Sequence, residues 1–134
     1  MNPKFAALIA GIGVVVGATS VVAHHSFAAE YDAARPVVLK GIVTRMEWVN
    51  PHAHCYIDVK AESGRVTNWN VEMASPKVLA QNGWKLSSIK VGDDVTVEGA
   101  MSKDGSTRAN ARIVTLADGR RVSAGSSGGD VTSP

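Results

Sequence analysis

The chain has 134 residues, with 14 lysines and arginines against 12 acidic residues, so its formal charge is +2. This length suits a single domain. The near balance of charge argues against a protein that binds nucleic acid or an anionic membrane, because such proteins carry a clear excess of basic residues. Cys55 is the sole cysteine, so no intramolecular disulfide can form and the fold must be stabilised by its core.

Residues 1–23 have the pattern of a secretory signal peptide. Lys4 supplies the positive charge, an apolar stretch follows, and Val21-Val22-Ala23 forms a plausible cleavage site. We therefore expect a periplasmic or secreted protein that begins at His24 and has no stable membrane association after cleavage. The alternative is an uncleaved anchor, because the apolar stretch is close to the roughly 20 residues that span a bilayer.

The residues after the leader begin with an arm and two predicted strands. Residues 24–36 are expected to form an N-terminal arm, and the β-rich residues 37–49 follow it, with Gly41 as a bend or bulge. Asn50-Pro51 marks a turn. Apolar and polar side chains then alternate over residues 53–60, which predicts a second strand.

The second half of the chain adds a helix and further strands. Residues 65–73 predict a third strand, in which Trp69 faces the core. A short helix is predicted over residues 76–83, because a proline suits its first turn and an Asn-Gly pair suits its C-cap. Further strands are predicted over residues 90–102, 109–116 and 121–122.

This order predicts an all-β fold with one short helix, namely a five-stranded OB-fold-like Greek-key barrel. Residues 37–122 would form the domain, and residues 123–134, which are poor in apolar side chains, would form a disordered tail. The first strand must curl to serve both halves of such a barrel. A generic β-sandwich would explain the strands but not the helix between the third and fourth.

All four histidines fall in two clusters, His24 with His25 and His52 with His54. Cleavage after residue 23 would free the amine of His24, which could chelate a metal together with its own imidazole. His52 and His54 are two apart, so in an extended chain they point the same way and form half a site for copper, zinc or nickel. Alternatively, the loop histidines only satisfy backbone groups and the terminus is solvated.

The separation of the two clusters limits a shared site. Residues 24–36 span at most about 45 Å, and the first strand is nearly as long. The N-terminus can reach the loop between the first two strands only if it doubles back or if the strand curls strongly. One four-histidine site, two weaker sites, and a site shared between chains therefore all remain open.

The loop between the first two strands contains further candidate residues. OB folds usually bind ligands near this loop, which makes Trp48 and Asn50 candidate ligand contacts. Trp84 is expected to pack against the end of the helix. Cys55 alternates with inward-facing residues, so we interpret it as a buried, inert thiol, although a bulge nearby would reverse its direction.

Several motifs occur together in this sequence. They are A-H-H-S-F at residues 23–27, G-x-V-x-x-x-x-W-x-N-P-H at residues 41–52, Trp69, Gly83-Trp84, and the segment from D-G to D-G-R-R-V at residues 104–122. In this combination the chain resembles a family of small exported bacterial proteins of unknown function. The resemblance implies export and an OB-like domain but no activity. His54 and Cys55 depart from the family pattern, so it supports a site on the other three histidines better than one on His54.

These observations predict an exported, periplasmic OB-fold-like binding protein. We expect it to hold copper(II), or another transition metal, through the histidines His24, His25, His52 and His54. We do not expect an enzyme and assign no catalytic residue, since no nucleophile-elbow serine, phosphate-binding loop or acid–base pair is evident. The alternative is a metal-independent module in which Trp48 and its loop bind a glycan, another envelope ligand or a partner protein.

Overall fold

The computed structural model of the chain describes residues 27–125. The predicted signal peptide, His24, His25 and residues 126–134 lie outside this range. The strands and the helix are β1 (Tyr31–Glu47), β2 (His54–Lys60), β3 (Val66–Glu72), α1 (Pro76–Gln81), β4 (Asp94–Ser102), β5 (Arg108–Thr115) and β6 (Arg121–Ser123). No helix in the described range is long and apolar enough to span a membrane.

The strands form one sheet that closes on itself. β1 pairs with β4 along its first part and with β2 along its last part, and both pairings are antiparallel. β2 pairs with β3, β4 pairs with β5, and a parallel pairing of β3 with β5 completes the circle. The order β1-β2-β3-β5-β4, with a helix between β3 and β4, is the five-stranded OB-fold arrangement and confirms the predicted fold class.

β1 begins six residues earlier than the sequence predicts. Tyr31 already pairs with Ser102 of β4, and residues 27–30 form a helical turn directly before it. The pairing is irregular between Asp32 and Pro36. Proline has no backbone N–H and interrupts a ladder, so the sequence pattern places the start of the strand after it. The described part of the predicted arm therefore belongs to the helical turn and to β1.

The bulge in the second part of β1 lies beside Gly41 but not at it. The pairing with β2 shifts register between Val43 and Arg45. Gly41 lies where the two strands approach closely, because a Cβ atom on it would be 2.5 Å from the carbonyl oxygen of Asp58. A side chain larger than hydrogen does not fit there, which explains why the strand carries a glycine at its curl.

The core follows the alternation that the sequence predicts. The inward residues of β2 and β3, and those directly beside them, are buried: Ala53, Cys55, Ile57, Val71 and Met73. Helix α1 starts where predicted, because the side chain of Ser75 accepts a hydrogen bond from the N–H of Val78. It buries Leu79 and ends before Gly83, whose φ of 94° suits a helix terminus.

Trp84 joins the helix end to the last strand. Its side chain is 4 % exposed, and its Nε1 donates a hydrogen bond to the carbonyl oxygen of Ser123 at 2.8 Å. The N–H of Ala124 donates to the carbonyl of Arg112. Residues 123 and 124 are therefore part of the packed structure, although the sequence predicts that a disordered tail starts at residue 123. Trp69 is half-buried and packs against the core.

Candidate functional site

A cavity of about 330 Å³ lies where β1 begins, β3 ends and the β1–β2 loop passes. Its lining consists of Glu30, Val49, Asn50, Pro51, His52, His54, Glu72 and Arg108. Both histidines of the second cluster therefore meet at one cavity. The curl of β1 brings Glu30, from the N-terminal segment, to this cavity as well. The residue directly before β1 and the loop that follows β1 therefore line the same cavity.

His52 is held by a buried carboxylate. Its Nδ1 lies 2.6 Å from Oε1 of Glu72, whose side chain is only 10 % exposed. A carboxylate is an acceptor, so Nδ1 donates and the lone pair of a neutral His52 ring lies on Nε2. Histidines that bind metals in proteins are oriented by this kind of contact.

His54 has a similar arrangement with an amide in place of the carboxylate. Its Nδ1 lies 2.8 Å from Oδ1 of Asn70 on the neighbouring strand β3. The amide oxygen accepts, so His54 also donates from Nδ1 and its lone pair lies on Nε2. Tyr56, the next outward residue of β2, lies beside it with 6.5 Å between the ring centroids. Both rings of the cluster are thus fixed through the same nitrogen.

Glu72 is the centre of a wider network. Its Oε2 accepts a hydrogen bond of 2.5 Å from the hydroxyl of Tyr31. Burial, followed by the hydrogen bond to Glu72 and its charge, holds the pKa of Tyr31 well above the usual range, so Tyr31 remains a phenol and a donor. A nitrogen of Arg108 lies 3.3 Å from the Tyr31 hydroxyl and 3.9 Å from Glu72.

Arg108 links this network to the helical turn. Its guanidinium lies 3.6 Å from Oε2 of Glu30. Burial alone would lower the pKa of Arg108, but its neighbours Tyr31, Glu30 and Glu72 raise it, so the side chain remains a cation. The cavity therefore has two carboxylates against one guanidinium, a balance of −1 with neutral histidines. This balance favours a cationic ligand.

The described residues do not by themselves form a complete set of metal ligands. Within residues 27–125, no group of three or more His, Cys, Asp or Glu side chains is arranged to hold a metal ion. His52 and His54 contribute two imidazoles, and His24 and His25 lie outside the described range. Cys55 is buried, and burial raises the pKa of its thiol to about 12, so it is not a thiolate at neutral pH.

The other two predicted ligand contacts differ in accessibility. Asn50 is exposed and lines the cavity. Trp48 is half-buried and packs against the core, and its ring and that of Trp84 are steeply inclined at a centroid distance of 6.3 Å. Only the part of Trp48 that remains exposed is available to a ligand.

Sequence reasoning missed the residues that orient the histidines. Tyr31 falls in the predicted arm and Arg108 lies directly before the strand predicted over residues 109–116, so neither has an assigned contact. Glu72 carries a readable signal, because it is a lone acidic residue between the buried Val71 and Met73 near the end of a strand. A carboxylate that is buried between apolar side chains needs hydrogen-bond or ion-pair partners. The closure of the sheet brings these partners to Glu72.

Comparisons with known proteins give a family but no activity. A solved structure of a mitochondrial single-stranded DNA binding protein from S. cerevisiae, Rim1, is similar at 11 % identity and a TM-score of 0.48, over 60 % of this chain and 91 % of that chain. No curated protein matches the chain. The profile of a family of unknown function, DUF6152, matches residues 11–111, which include all four histidines and Glu72. This match confirms the resemblance seen in the motifs, and the chain therefore belongs to that family of unknown function.

Proposed function

We propose that this protein is an exported OB-fold-like binding protein that holds copper(II), or another transition metal, through His24, His25, His52 and His54. One observation carries the proposal. His52 and His54 line the same cavity, and each ring is bonded through Nδ1 to an oxygen acceptor. Both rings are therefore left to bind through Nε2, the nitrogen that a metal would use in such an arrangement.

The position of the N-terminal segment supports a shared site. Glu30 lines the cavity, and His24 precedes it by six residues. The three residues before Phe27 cover at most about 10 Å when extended, and the helical turn over residues 27–30 adds about 5 Å. A free amine on His24 and the two N-terminal imidazoles are thus within reach of His52. The distance between the two histidine clusters is therefore no argument for two separate metal sites against a single shared site.

Charge and ligand type point to a borderline transition metal. Imidazole and amine nitrogens suit copper, nickel and zinc, and copper(II) prefers nitrogen ligands in a plane. The carboxylates of Glu30 and Glu72 outweigh the guanidinium of Arg108 in the cavity. An anion would meet this excess of negative charge, whereas a divalent cation is attracted by it.

Calorimetric titration of copper(II) into protein that begins at His24 tests the proposal. We expect one copper per chain, and a loss of about 100-fold or more in affinity for the double variant His24→Ala, His52→Ala. The double variant Lys60→Ala, Arg65→Ala changes two exposed side chains elsewhere and should bind as the wild type does. Equal affinity of the histidine variant and the wild type would rule the proposal out.

A metal-independent module is the second candidate function. Val49 is 47 % exposed beside the exposed Asn50, so the β1–β2 loop presents an apolar and a polar group together. Such a loop could bind a glycan, a small envelope ligand or a protein. Capture of a ligand that persists in the presence of a chelator, but is lost on Trp48→Ala, would support this candidate over the metal site.

A further inference from the structure

Glu72 is an unusual residue for its place in the fold. It lies at the end of β3, opposite His54 across the β2–β3 ladder, yet it is buried among polar groups and not solvated. Both of its oxygens are used, Oε1 by His52 and Oε2 by Tyr31. A buried ionic network rarely stabilises a fold more than apolar side chains of the same size would. Stability alone therefore gives little reason for a carboxylate at this position.

The geometry points to a positioning role. We propose that Glu72, held in place by Tyr31, keeps the ring of His52 in the tautomer with its proton on Nδ1, so that Nε2 is the nitrogen that binds a ligand. The identity of that ligand rests on the proposed function, but the tautomer is a property of the protein without metal.

Tyr31 determines which oxygen of Glu72 is available to accept a hydrogen bond from His52. The phenol can only donate to the carboxylate, because burial and the charge of Glu72 disfavour its ionisation. Arg108 lies on the same side of this pair, 3.3 Å from the Tyr31 hydroxyl and 3.9 Å from Oε2 of Glu72. Oε1 is then left to accept from His52. Tyr31 is also the first residue of β1, directly after the helical turn that leads back toward His24. The same contact thus orders both the N-terminal segment and the loop histidine.

Nitrogen-15 NMR of the metal-free protein, under conditions where the ring is neutral, tests the inference. We expect His52 to carry its proton on Nδ1 in the wild type. Glu72→Met removes the acceptor and should shift His52 toward the Nε2–H tautomer. Glu72→Gln keeps an acceptor oxygen and should retain the Nδ1–H tautomer. Tyr31→Phe frees Oε2 and should make a minor Nε2–H population detectable.

A second Tyr–Glu pair, between β2 and β1 and bonded to neither His52 nor Glu72 in the described contacts, controls for general effects on folding. The Tyr56 hydroxyl donates to Oε2 of Glu47 at 3.5 Å, and the other oxygen of this carboxylate pairs with Arg45. Tyr56→Phe and Glu47→Met should therefore leave the His52 tautomer unchanged. Should Glu72→Met fail to fold, the wild-type spectrum and Tyr31→Phe still decide the matter. An Nε2–H tautomer in the wild type, or no change in Glu72→Met, would overturn the inference.

Copper titration separates this inference from the proposed function. If the metal binds, Glu72→Met should lower its affinity by about 10-fold or more, and Glu72→Gln by less. If no metal binds but the tautomer behaves as expected, the positioning role holds and the proposed function is wrong. If the metal binds equally well to Glu72→Met and the wild type, Glu72 does not select the binding nitrogen.

Discussion

His54 Nδ1 and Asn70 Oδ1 lie 2.8 Å apart across the β2–β3 ladder, and this contact is the neutral counterpart of the one between His52 and Glu72. An amide fixes the ring without adding charge, so it does less than a carboxylate to strengthen a metal–nitrogen bond. His52 should therefore contribute more to metal affinity than His54 does, even though both histidines line the cavity.

We expect His54→Ala to lower copper affinity less than His52→Ala does, because His54 lacks a charged partner. Calorimetric titration of the two single variants measures the difference. Asn70→Ala, which leaves the ring in place but removes its acceptor, should fall between His54→Ala and the wild type. Equal binding by His54→Ala and the wild type would remove His54 from the site and leave His52 as the loop ligand.

We expect the N-terminal amine to matter as much as the His24 ring. One alanine added before His24 moves the amine away from that imidazole and breaks the chelate, so copper affinity should fall at least about 10-fold. One alanine added after Pro134 provides the control of equal size. Mass spectrometry of the exported protein establishes whether the chain begins at His24. If the alanine-extended protein binds copper normally, the amine is not a ligand.

We expect Trp84→Phe to destabilise the fold by about 1 to 3 kcal/mol, because it leaves the half-buried carbonyl oxygen of Ser123 without its indole donor. The loss concerns the bond to Ser123, which ties the end of the helix to β6. Urea unfolding measures the free energy. Trp69→Phe, at a half-buried position, is the comparison and should cost less. An equal loss of unfolding free energy in both variants would show that lost packing, and not the lost hydrogen bond, explains the destabilisation.

We expect Gly99→Ala to cost about 1 to 3 kcal/mol, the usual range for a forced overlap in a packed region. A Cβ atom on Gly99 would overlap the carbonyl oxygen of Asn110, at the register shift between β4 and β5. The overlap is with backbone, so no side chain can move aside. Gly64→Ala, in an open turn with a φ of 88°, should cost only about 1 kcal/mol. Unfolding by urea compares the two variants.

We expect stability to fall above pH 9 because of Cys55. Burial raises the pKa of its thiol from 9.0 to about 12, so between these values the unfolded chain has lost a proton that the folded chain keeps. Stability is then fully present below pH 9 and falls by about 1 kcal/mol between pH 9 and pH 10. Cys55→Ala should lack this part of the slope. Identical pH profiles for the variant and the wild type would contradict the prediction.

The sequence predicts the fold well because its signals are local. Alternation over residues 53–60, the proline and Asn-Gly ends of the helix, and the glycine-bearing first strand are each readable within a few residues. The start of β1 cannot be predicted in this way, because Pro36 and an irregular pairing interrupt the strand pattern. The first residues of the strand are defined only by the pairing of Tyr31 with Ser102. Such a contact depends on closure of the sheet.

The site is only partly predictable for the same reason. His52, His54 and Asn50 come from one short segment, and their spacing marks them. Glu72, Tyr31 and Arg108 come from three separate strands. The parallel pairing of β3 with β5 brings Glu72 close to Arg108, and the pairing of β1 with β4 places the start of β1 beside them. No pattern within one segment encodes that proximity.

The residue before β1, Glu30, and the loop after it, from Val49 to His52, line one cavity, so the two ends of this strand lie at the same end of the barrel. A metal held between His24 and His52 would join the chain ahead of this 17-residue strand to the loop that follows it. The strand could not leave the sheet until that link opened. Metal binding would then slow spontaneous unfolding as well as raise the melting temperature. Resistance to proteolysis would therefore show, even in a crude extract, what fraction of the protein has metal bound.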